Sequence, residues 1–313
     1  MPDIFDINEI NRAATTDPEG FAMECEADYT KKVNHAAQLI KARFSDSRVV
    51  LLSGPSGSGK TTTALRIGTA LENTGIKAIP ISLDKYYISR ARESAPKNPD
   101  GSIDLESPLL LDLDLLNDHF HALNKGDEVT VPHFSFKTQD RDPLKAKPLR
   151  LQADEIVIFE GIHALNDLLA DEHPDAFKLY ISTRSNVIDG ENVLFKRNLS
   201  RLLRRVVRDE NFRGTGAVET LKLWINVREG EMRYISPFKH KADLKFNSSM
   251  AYEVPVMKSF ALNALHKVEN KTKILEELSH LLPALEKFEE LNSDFVPGNS
   301  ILREFIGGGT YKY

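Results

Sequence analysis

One short segment of the sequence, residues 54–61, already requires a particular local structure. It reads Gly-Pro-Ser-Gly-Ser-Gly-Lys-Thr and matches the pattern G-x-x-x-x-G-K-[ST] at every fixed position. An apolar run at residues 49–52 precedes it, and a helical pattern extends from about residue 59 to residue 73. A strand, a glycine-rich loop and a helix in this order direct backbone N–H groups and the helix dipole at one point. The segment therefore predicts a phosphate-binding loop; the alternative is a glycine-rich turn that binds nothing.

The residue types of this loop have separate tasks. Glycines let the backbone wrap an anion without Cβ clashes. The Lys60 amine is expected to reach the β- and γ-phosphates of a nucleotide, and the Thr61 hydroxyl to ligate magnesium. The expected cofactors are therefore ATP and Mg²⁺. The positions expected to hold ATP are Gly54, Ser56, Gly57, Ser58, Gly59, Lys60, Thr61 and Thr62.

Further apolar runs predict the fold around the loop. They lie at residues 76–82, 155–159 and 177–181, with a weaker one at 242–246. The run at 49–52, the helix after it and the run at 76–82 make a βαβ unit, which requires parallel strands and a covering helix. The sequence therefore predicts an α/β fold with a parallel sheet covered by helices.

The pattern divides the chain into a helical extension, a central domain and a C-terminal part. Turn-rich sequence and two short strand patterns inside the central domain predict a small antiparallel insertion, of a kind that often shapes a substrate site. A basic amphipathic segment predicts a helical lid. The expected boundaries are 1–45 for the extension, 46–260 for the domain, about 84–151 for its insertion, about 190–225 for its lid and 261–313 for the C-terminal part.

The two ends of the chain differ in predicted order. Residues 1–16 are polar and are expected to be irregular, whereas residues 17–44 favour a helix with Asp17 as N-cap and Pro18 at its first position. A C-terminal helix is expected at about 272–291, kinked or divided by a proline. The glycine-rich sequence after it favours a flexible tail.

Composition excludes several classes of protein. The 313 residues include 41 Lys and Arg against 46 Asp and Glu, which gives a net charge of −5. Cys25 is the single cysteine, so an intramolecular disulfide and a thiolate-rich metal site are excluded. No apolar run approaches the roughly 20 residues of a membrane span, and the first residues lack the apolar block of a targeting leader. We therefore expect a cytoplasmic protein without a membrane or nucleic-acid partner.

Two carboxylates come directly after predicted strands. Asp84 follows the run at 76–82, and Glu160 closes the run at 155–159. Ligands of an open parallel sheet sit beyond the carboxyl ends of its strands. Glu160 can there hold magnesium together with Thr61, and Asp84 can accept a proton from an attacking hydroxyl. The alternative for each acid is to cap a following helix.

Between residues 196 and 213 there are seven basic residues and two acids. Their helical spacing, with leucines opposite, predicts a helix that packs on one face and presents guanidinium groups on the other. Arginine binds phosphate oxygens in a planar, bidentate manner. We interpret the segment as a lid in which Arg204 and Arg213 contact ATP; a solvated, salt-bridged face and a nucleic-acid patch are the alternatives.

Taken together, these segments resemble the uridine kinase and phosphoribulokinase family. The resemblance covers about residues 47–255 and rests on the order of the motifs: the phosphate loop, Leu-Asp-Lys-Tyr-Tyr from 83, Ile-Asp from 103, Phe-Glu-Gly-Ile from 159 and the arginine segment. It is strongest to the kinase half of bacterial nucleoside kinases that carry an N-terminal TGS domain. The resemblance implies a P-loop NTPase with an adenylate-kinase-like fold, a small β insertion and a helical lid.

The resemblance also implies roles for individual residues. Asp84 matches the family's catalytic base, Tyr87 the aromatic residue of the same motif, Asp104 the acid that binds ribose hydroxyls, and Glu160 a magnesium-associated glutamate. Lid arginines that engage phosphates and the 5′ end of the nucleoside are matched by Arg205, Arg208 and Arg213. With Lys60, Arg205 and Arg208 complete the expected catalytic set.

Some positions depart from the family's pattern. Uridine-cytidine kinases have a base-contacting tyrosine and histidine where this chain has Phe134 and Gln139, and an arginine and glutamine where it has Thr215 and Leu223. Loss of hydrogen-bonding groups changes discrimination between substrates strongly. The residues expected to contact the acceptor are Asp84, Tyr87, Asp104, Phe134, Gln139, Arg141, His163 and Arg205.

The sequence thus predicts a magnesium-dependent kinase that phosphorylates a hydroxyl of a small molecule, foremost the 5′-OH of a nucleoside. A kinase of another polyol, sugar or sugar phosphate is one alternative. A nucleotide-dependent regulatory switch is the other; Asp84 and Asp104 favour the enzyme, since a switch needs neither. A homo-oligomer is expected by analogy alone.

Overall fold

The apolar runs pair as one parallel sheet in the computed structural model, which describes residues 4–89, 94–265 and 275–312. The central sheet has the order β12-β9-β2-β8-β3, and every neighbouring pair in it is parallel. The predicted α/β sheet is therefore confirmed. The strands are β1 (Ile4–Asp6), β2 (Val49–Ser53), β3 (Lys77–Ser82), β4 (Val129–Val131), β5 (Phe134–Ser135), β6 (Asp140–Arg141), β7 (Lys147–Leu149), β8 (Glu155–Glu160), β9 (Phe177–Ser182), β10 (Asn186–Asp189), β11 (Asn192–Phe195) and β12 (Leu244–Asn247).

Helices cover both faces of this sheet. Side chains of β2 alternate between two apolar clusters, with Val50 and Leu52 in one and Val49 and Leu51 in the other, because successive residues of a strand point to opposite faces. Burial on both faces explains why β2 is apolar throughout. The helices are α1 (Ile7–Thr16), α2 (Pro18–Ala42), α3 (Lys60–Glu72), α4 (Leu113–Lys125), α5 (Asp167–Ala170), α6 (Arg197–Arg208), α7 (Ala217–Tyr234), α8 (Glu253–Leu265), α9 (Leu275–Glu286) and α10 (Arg303–Ile306).

The predicted insertion and lid are present. Strand β4 pairs antiparallel with β7, and β5 with β6. The basic segment forms α6, followed by a π-helical turn at Asp209–Arg213. Gly214 then takes a left-handed conformation, and α7 returns across the molecule. The helical lid is thus a hairpin of two helices.

At the N-terminus, the prediction that residues 1–16 are irregular is wrong for residues 4–16, the part of this segment that the structure describes. The side chain of Asp6 caps α1 by accepting from the Asn8 N–H at 2.7 Å, and Ile7, Ile10 and Ala14 are buried. These three apolar residues share one helical face, a periodicity hidden by the polar composition around them. The next helix, α2, begins as predicted, with Asp17 accepting from Gly20 N–H and Pro18 in its first turn.

The C-terminal tail is packed, so the prediction of a flexible tail is wrong. Ile301, Leu302 and Phe305 are completely buried, and Ile301 lies against Gly59 of the phosphate loop. Glycine-rich sequence serves here to turn the chain, since Gly307 and Gly308 have φ of +85° and +70°. Of the expected helix at 272–291, α9 covers Leu275–Glu286 and residues 287–291 are not helical; residues 266–274 lie outside the described residues.

We expect Phe305→Ala to lower the free energy of unfolding by roughly 3–5 kcal/mol, because it opens a cavity in a closed core. Urea unfolding measures this difference. The matched control is Leu144→Ala, whose side chain is 95% exposed and whose removal should leave the midpoint unchanged. Equal midpoints for Phe305→Ala and wild type would show that the tail is not part of the core.

Candidate active site

The phosphate loop connects β2 to α3, and its backbone curves around the space in which an anion would bind. Gly57 and Gly59 have φ of +75° and +82°, a region that favours glycine. A Cβ at Gly54 would lie 2.0 Å from the carbonyl oxygen of Ile181, so only glycine fits there. The buried Ser58 hydroxyl has no hydrogen-bond partner in the described part of the chain. The loop therefore offers both backbone N–H groups and a hydroxyl to an anion.

Charges of both signs converge beside this loop. The Thr61 hydroxyl donates to Glu160 Oε1 at 3.2 Å. Burial raises the pKa of Glu160 to about 7, with Lys60 opposing the shift and Asp84 adding to it. Burial in turn lowers the pKa of the Lys60 amine, against the pull of Glu160 and Asp84. The structure thus brings the predicted residues Lys60, Thr61, Asp84 and Glu160 together at the carboxyl ends of β2, β3 and β8.

Asp84 stands on a 3-10 turn, Leu83–Tyr86, directly after β3. Its side chain remains accessible from the cleft, yet the surrounding protein desolvates the carboxyl and raises its pKa, while Lys60 opposes the shift. The hydroxyl of Tyr87 donates a hydrogen bond to it. Solvent access and a fixed orientation are what a group needs in order to receive a proton from a substrate.

The lid arginines are arranged around Asp209, a residue that sequence reasoning missed. Its buried carboxylate accepts from Arg208 at 2.8 and 3.0 Å and lies 3.3 Å from Arg205 Nε and 3.8 Å from Arg213 Nε. Arg205 also donates to the Ser56 hydroxyl at 3.1 Å. One acid therefore holds three guanidinium groups near the phosphate loop. The signal available in the sequence was a pair of adjacent acids, Asp209 and Glu210, at the end of a basic helix.

Arg204, expected to bind ATP, does not reach the cleft. Its completely buried guanidinium donates to Glu253 at 2.7 Å, to the Ser248 carbonyl at 2.8 Å and to the Gly57 carbonyl at 3.3 Å. The guanidinium of Arg204 therefore makes its hydrogen bonds within the protein. Arg204 supports the phosphate loop from the side away from the cleft. This structural role replaces the predicted contact with ATP.

A second polar group surrounds Asp104. Tyr234 donates to Asp104 Oδ2 at 2.7 Å, and burial raises the pKa of nearby Glu106 to about 7, with Arg205 opposing the shift. Burial, reinforced by Lys60, lowers the pKa of His163 to about 4. Backbone hydrogen bonds of the ring with Tyr234 and Glu106 oppose this shift. Tyr234 and Glu106 were missed, because only folding brings α7 beside the loop that carries Asp104.

Aromatic rings form a wall between the insertion and Asp84. The ring centroids of Tyr87 and Phe134 are 5.6 Å apart, those of Tyr87 and Phe136 6.2 Å, and those of Phe134 and Phe136 5.3 Å. Phe136 is 53% exposed, so the wall has an open face. Of the predicted acceptor residues, Tyr87 and Phe134 belong to it.

Arg141 and Gln139, also predicted to contact the acceptor, belong to the β5–β6 hairpin. The Arg141 guanidinium donates to the Tyr87 carbonyl at 3.1 Å and to Asp112 at 2.8 Å, which ties the β5–β6 hairpin to the turn that carries Asp84. Gln139 is the left-handed residue of that hairpin, with φ of +58°. The guanidinium of Arg141 is therefore used within the protein and not for the predicted contact, whereas the contact of Gln139 with the acceptor stays a prediction.

The C-terminal tail adds a carboxylate that sequence reasoning missed. Glu304 Oε2 accepts from the Thr62 hydroxyl at 2.6 Å, so the predicted nucleotide residue Thr62 uses its side chain within the protein. The Glu304 carboxylate also adds negative charge near Lys60, Glu160 and Arg213, and it thereby raises the pKa of each of these three groups. The tail is thereby an electrostatic neighbour of the site.

Thr61 and Glu160 are the side chains suited to a metal. A hydroxyl and a carboxylate beside a phosphate site are the oxygen ligands that Mg²⁺ takes in proteins, with phosphate oxygens and water completing the shell. No group of three or more His, Cys, Asp and Glu side chains that could enclose a metal exists in the described ranges. Thr61 and Glu160 therefore suit a cation that is also bound by the oxygens of a phosphate group.

Fold and cleft together define a P-loop phosphotransferase. The family model of the phosphoribulokinase/uridine kinase family matches residues 49–255. The chain belongs to that family, whose uridine kinases are phosphotransferases with an alcohol group as acceptor. No helix within the described residues could span a membrane.

Individual relatives agree with the family. The chain is 28% identical over 197 residues to a uridine kinase of Halalkalibacterium halodurans, covering 63% of this chain and 83% of the relative. It is 30% identical over 196 residues to a uridine kinase of Brevibacillus brevis, covering 62% and 81%. A solved structure described as a possible uridine kinase from Bacillus stearothermophilus matches with a TM-score of 0.45 and 18% identity, covering 69% of this chain and 98% of that one. The finer resemblance to kinases with a TGS domain stays a prediction.

We expect His163 to make stability fall in mild acid. Its pKa is about 4 in the folded protein against an ordinary 6.5, so the unfolded chain takes up the proton first and unfolding is favoured as pH falls from about 6.5 to about 4. Urea unfolding at several pH values measures this loss. Burial also lowers the pKa of His173 to about 4, and this residue is kept in His163→Asn. The slope should be shallower for His163→Asn than for wild type; identical slopes would contradict the prediction.

Proposed function

We propose that the protein transfers the γ-phosphoryl group of ATP to the 5′-hydroxyl of a nucleoside, with Mg²⁺. The observation that carries the proposal is the convergence of Lys60, Asp84 and Glu160 beside the phosphate loop, next to a polar group around Asp104 and an aromatic wall. A donor site and an acceptor site thereby share one cleft. Membership of the phosphoribulokinase/uridine kinase family supports the same reaction.

On the donor side, this chain supplies positioning and positive charge. The loop backbone and Ser58 would hold the phosphates, and Lys60 would contact the β- and γ-oxygens. Arg205, Arg208 and Arg213 are placed to neutralise charge that spreads over the transferred group. Asp209 sets the spacing of these three guanidinium groups, so it acts through them as a positioning residue.

Mg²⁺ would be held by Thr61 and Glu160, directly or through water. When bound, it neutralises charge on the β- and γ-phosphate oxygens. Lys60 offsets the negative charge of Glu160 and Asp84 across the same cleft. The two carboxylates can therefore remain close while having different tasks.

On the acceptor side, Asp84 would accept a hydrogen bond from the 5′-hydroxyl and orient its oxygen toward the γ-phosphorus. As the new O–P bond forms, the bond from the γ-phosphorus to the bridging oxygen breaks, ADP leaves with that oxygen, and the hydroxyl proton passes to Asp84. The hydrogen bond from Tyr87 holds the carboxyl during this step. Positioning of this kind supplies much of the acceleration in phosphoryl transfer.

Asp104 and the aromatic wall would recognise the nucleoside. The carboxylate of Asp104 can accept hydrogen bonds from the 2′- and 3′-hydroxyls of ribose, with Tyr234 fixing its orientation. The planar base would pack on the rings of Tyr87, Phe134 and Phe136. Since Phe134 lacks a polar group, we propose that ring contact holds the base more than hydrogen bonds to its edge do.

For the protein as a whole, we propose a cytoplasmic enzyme with a small-molecule acceptor and no nucleic-acid partner. The domain limits given above, 46–260 for the catalytic part with 1–45 and 261–313 flanking it, belong to the same proposal. The extension is joined to the catalytic part by the buried ion pair of Glu26 and Arg66 at 2.8 Å. A homo-oligomer is proposed by analogy with relatives.

Asp84→Asn should lower the turnover number by a factor on the order of 10² to 10⁴, because the amide cannot receive the proton, and should leave ATP binding intact. Lys60→Ala should abolish transfer and weaken ATP binding as well. Coupled ADP release and equilibrium binding of ATP separate the two effects. The matched control is Asp114→Asn, an exposed acid in the first turn of α4. Near wild-type turnover of Asp84→Asn would remove the proposed base.

A panel of ribonucleosides, 2′-deoxynucleosides, sugars and polyols should raise ADP release for ribonucleosides foremost. Asp104→Asn should then reduce the preference for ribonucleosides over 2′-deoxynucleosides by about ten- to a hundredfold, since each lost hydrogen bond to a charged group is worth about 1.5–3 kcal/mol. The KM for ATP is the internal control and should not change. Turnover with sugars alone would replace the nucleoside proposal by the sugar kinase.

A further inference from the structure

A cavity of about 640 Å³ lies beside the first half of α6, and neither Asp84 nor Glu160 lines it. The ends of β9 and β12, the β10–β11 hairpin, the first half of α6 and the last turns of α7 enclose it. Small-molecule sites in proteins commonly have volumes of about 300–1,000 Å³. The cavity is therefore large enough for a molecule of nucleotide size.

The lining of the cavity is strongly cationic. Seven of its side chains are basic and one, Glu231, is acidic, although the chain as a whole has a net charge of −5. Concentrated like charge is unfavourable in a concave site, because low-dielectric walls focus the field. A set of cations gathered against the overall charge of the chain therefore indicates that an anion is to be bound.

The single carboxylate is already used. Glu231 Oε2 accepts from Arg201 and from Arg228, each at 2.6 Å. Within the residues that the structure describes, the other five cations have no carboxylate partner. These five, which we call the free cations of the cavity, are Arg184, Lys196, Arg197, Lys239 and Lys245.

This cavity is separate from the proposed catalytic cleft. Lys60, Asp84, Glu160 and Arg208 do not line it, and it meets the phosphate loop only at Pro55. The backbone of Arg201 in α6 packs against Gly57 of the phosphate loop. The guanidinium of Arg201 nevertheless donates to the Ser56 carbonyl at 3.2 Å, so the cavity is connected to the phosphate loop.

We propose that this cavity binds a second ligand, a small polyanion with two or more phosphate groups. Arginine recognises phosphate oxygens in a bidentate manner and lysine as a point charge, and the lining has both. Ser182, Asn186 and Asn198 add neutral hydrogen-bond donors. The inference goes beyond the proposed kinase reaction and does not depend on the identity of the acceptor.

The test uses inorganic tripolyphosphate as the probe and calorimetric titration at low ionic strength as the measurement. The full chain with Lys60→Ala is the background, because this change weakens the phosphate loop as a competing site. We expect one equivalent of probe to bind to this background. Adding Arg184→Ala and Lys245→Ala should weaken binding by at least about tenfold, because charge-assisted hydrogen bonds are lost.

The matched control adds Lys125→Ala and Lys147→Ala instead, which removes the same charge from exposed positions outside the cavity and should leave binding unchanged. A second cavity pair, Lys196→Ala with Lys239→Ala, changes exposed side chains only, so it tests the site even if the first pair disturbs folding. Circular dichroism checks that each variant is folded.

Two results would overturn the proposal: no binding to the Lys60→Ala background, or equal binding by both cavity pairs and the control. No acceptor and no phosphoryl transfer enter this measurement. Its failure would therefore leave the proposed kinase function standing, and failure of the acceptor panel would not affect it.

Discussion

The interaction on which the site depends is the attraction between Lys60 and the two carboxylates at the carboxyl edge of the sheet. Burying a single charge is costly, and a buried acid alone would take up a proton. Here burial raises the pKa of Glu160 and lowers that of Lys60, while each opposes the shift of the other. The strand order makes this possible, because β8 lies between β2 and β3 and the three strands end together.

Helix α6 divides its arginines among three tasks. Arg204 faces inward and supports the phosphate loop through the Gly57 carbonyl and Glu253. Arg205 and Arg208 surround Asp209 on the side of the catalytic cleft. Arg201 lines the cationic cavity and also contacts the loop. One helix is therefore in contact with every part of the molecule in which we propose that an anion binds.

Both ends of the chain pack against the catalytic core. At the N-terminal end, Glu26 of α2 pairs with Arg66 of α3 and accepts from the Tyr252 hydroxyl. At the other end, the tail places Ile301 on Gly59 and Glu304 on Thr62. The helix that follows the phosphate loop is thus held from two sides, which fixes the geometry of the loop that begins it.

By itself the sequence determined the elements with a local signal: the buried strands, the glycines and Lys60 of the loop, the cap of α2, and the carboxylates Asp84 and Glu160 placed just after strands. Such features depend on periodicity and on neighbours along the chain. Tertiary structure decided what depends on distant partners. It buried Arg204 against Glu253 and brought three arginines to Asp209. It also packed the glycine-rich tail, in which only a few apolar residues are buried. Contacts between segments far apart in sequence set these outcomes, and no local pattern records which partner a side chain will meet.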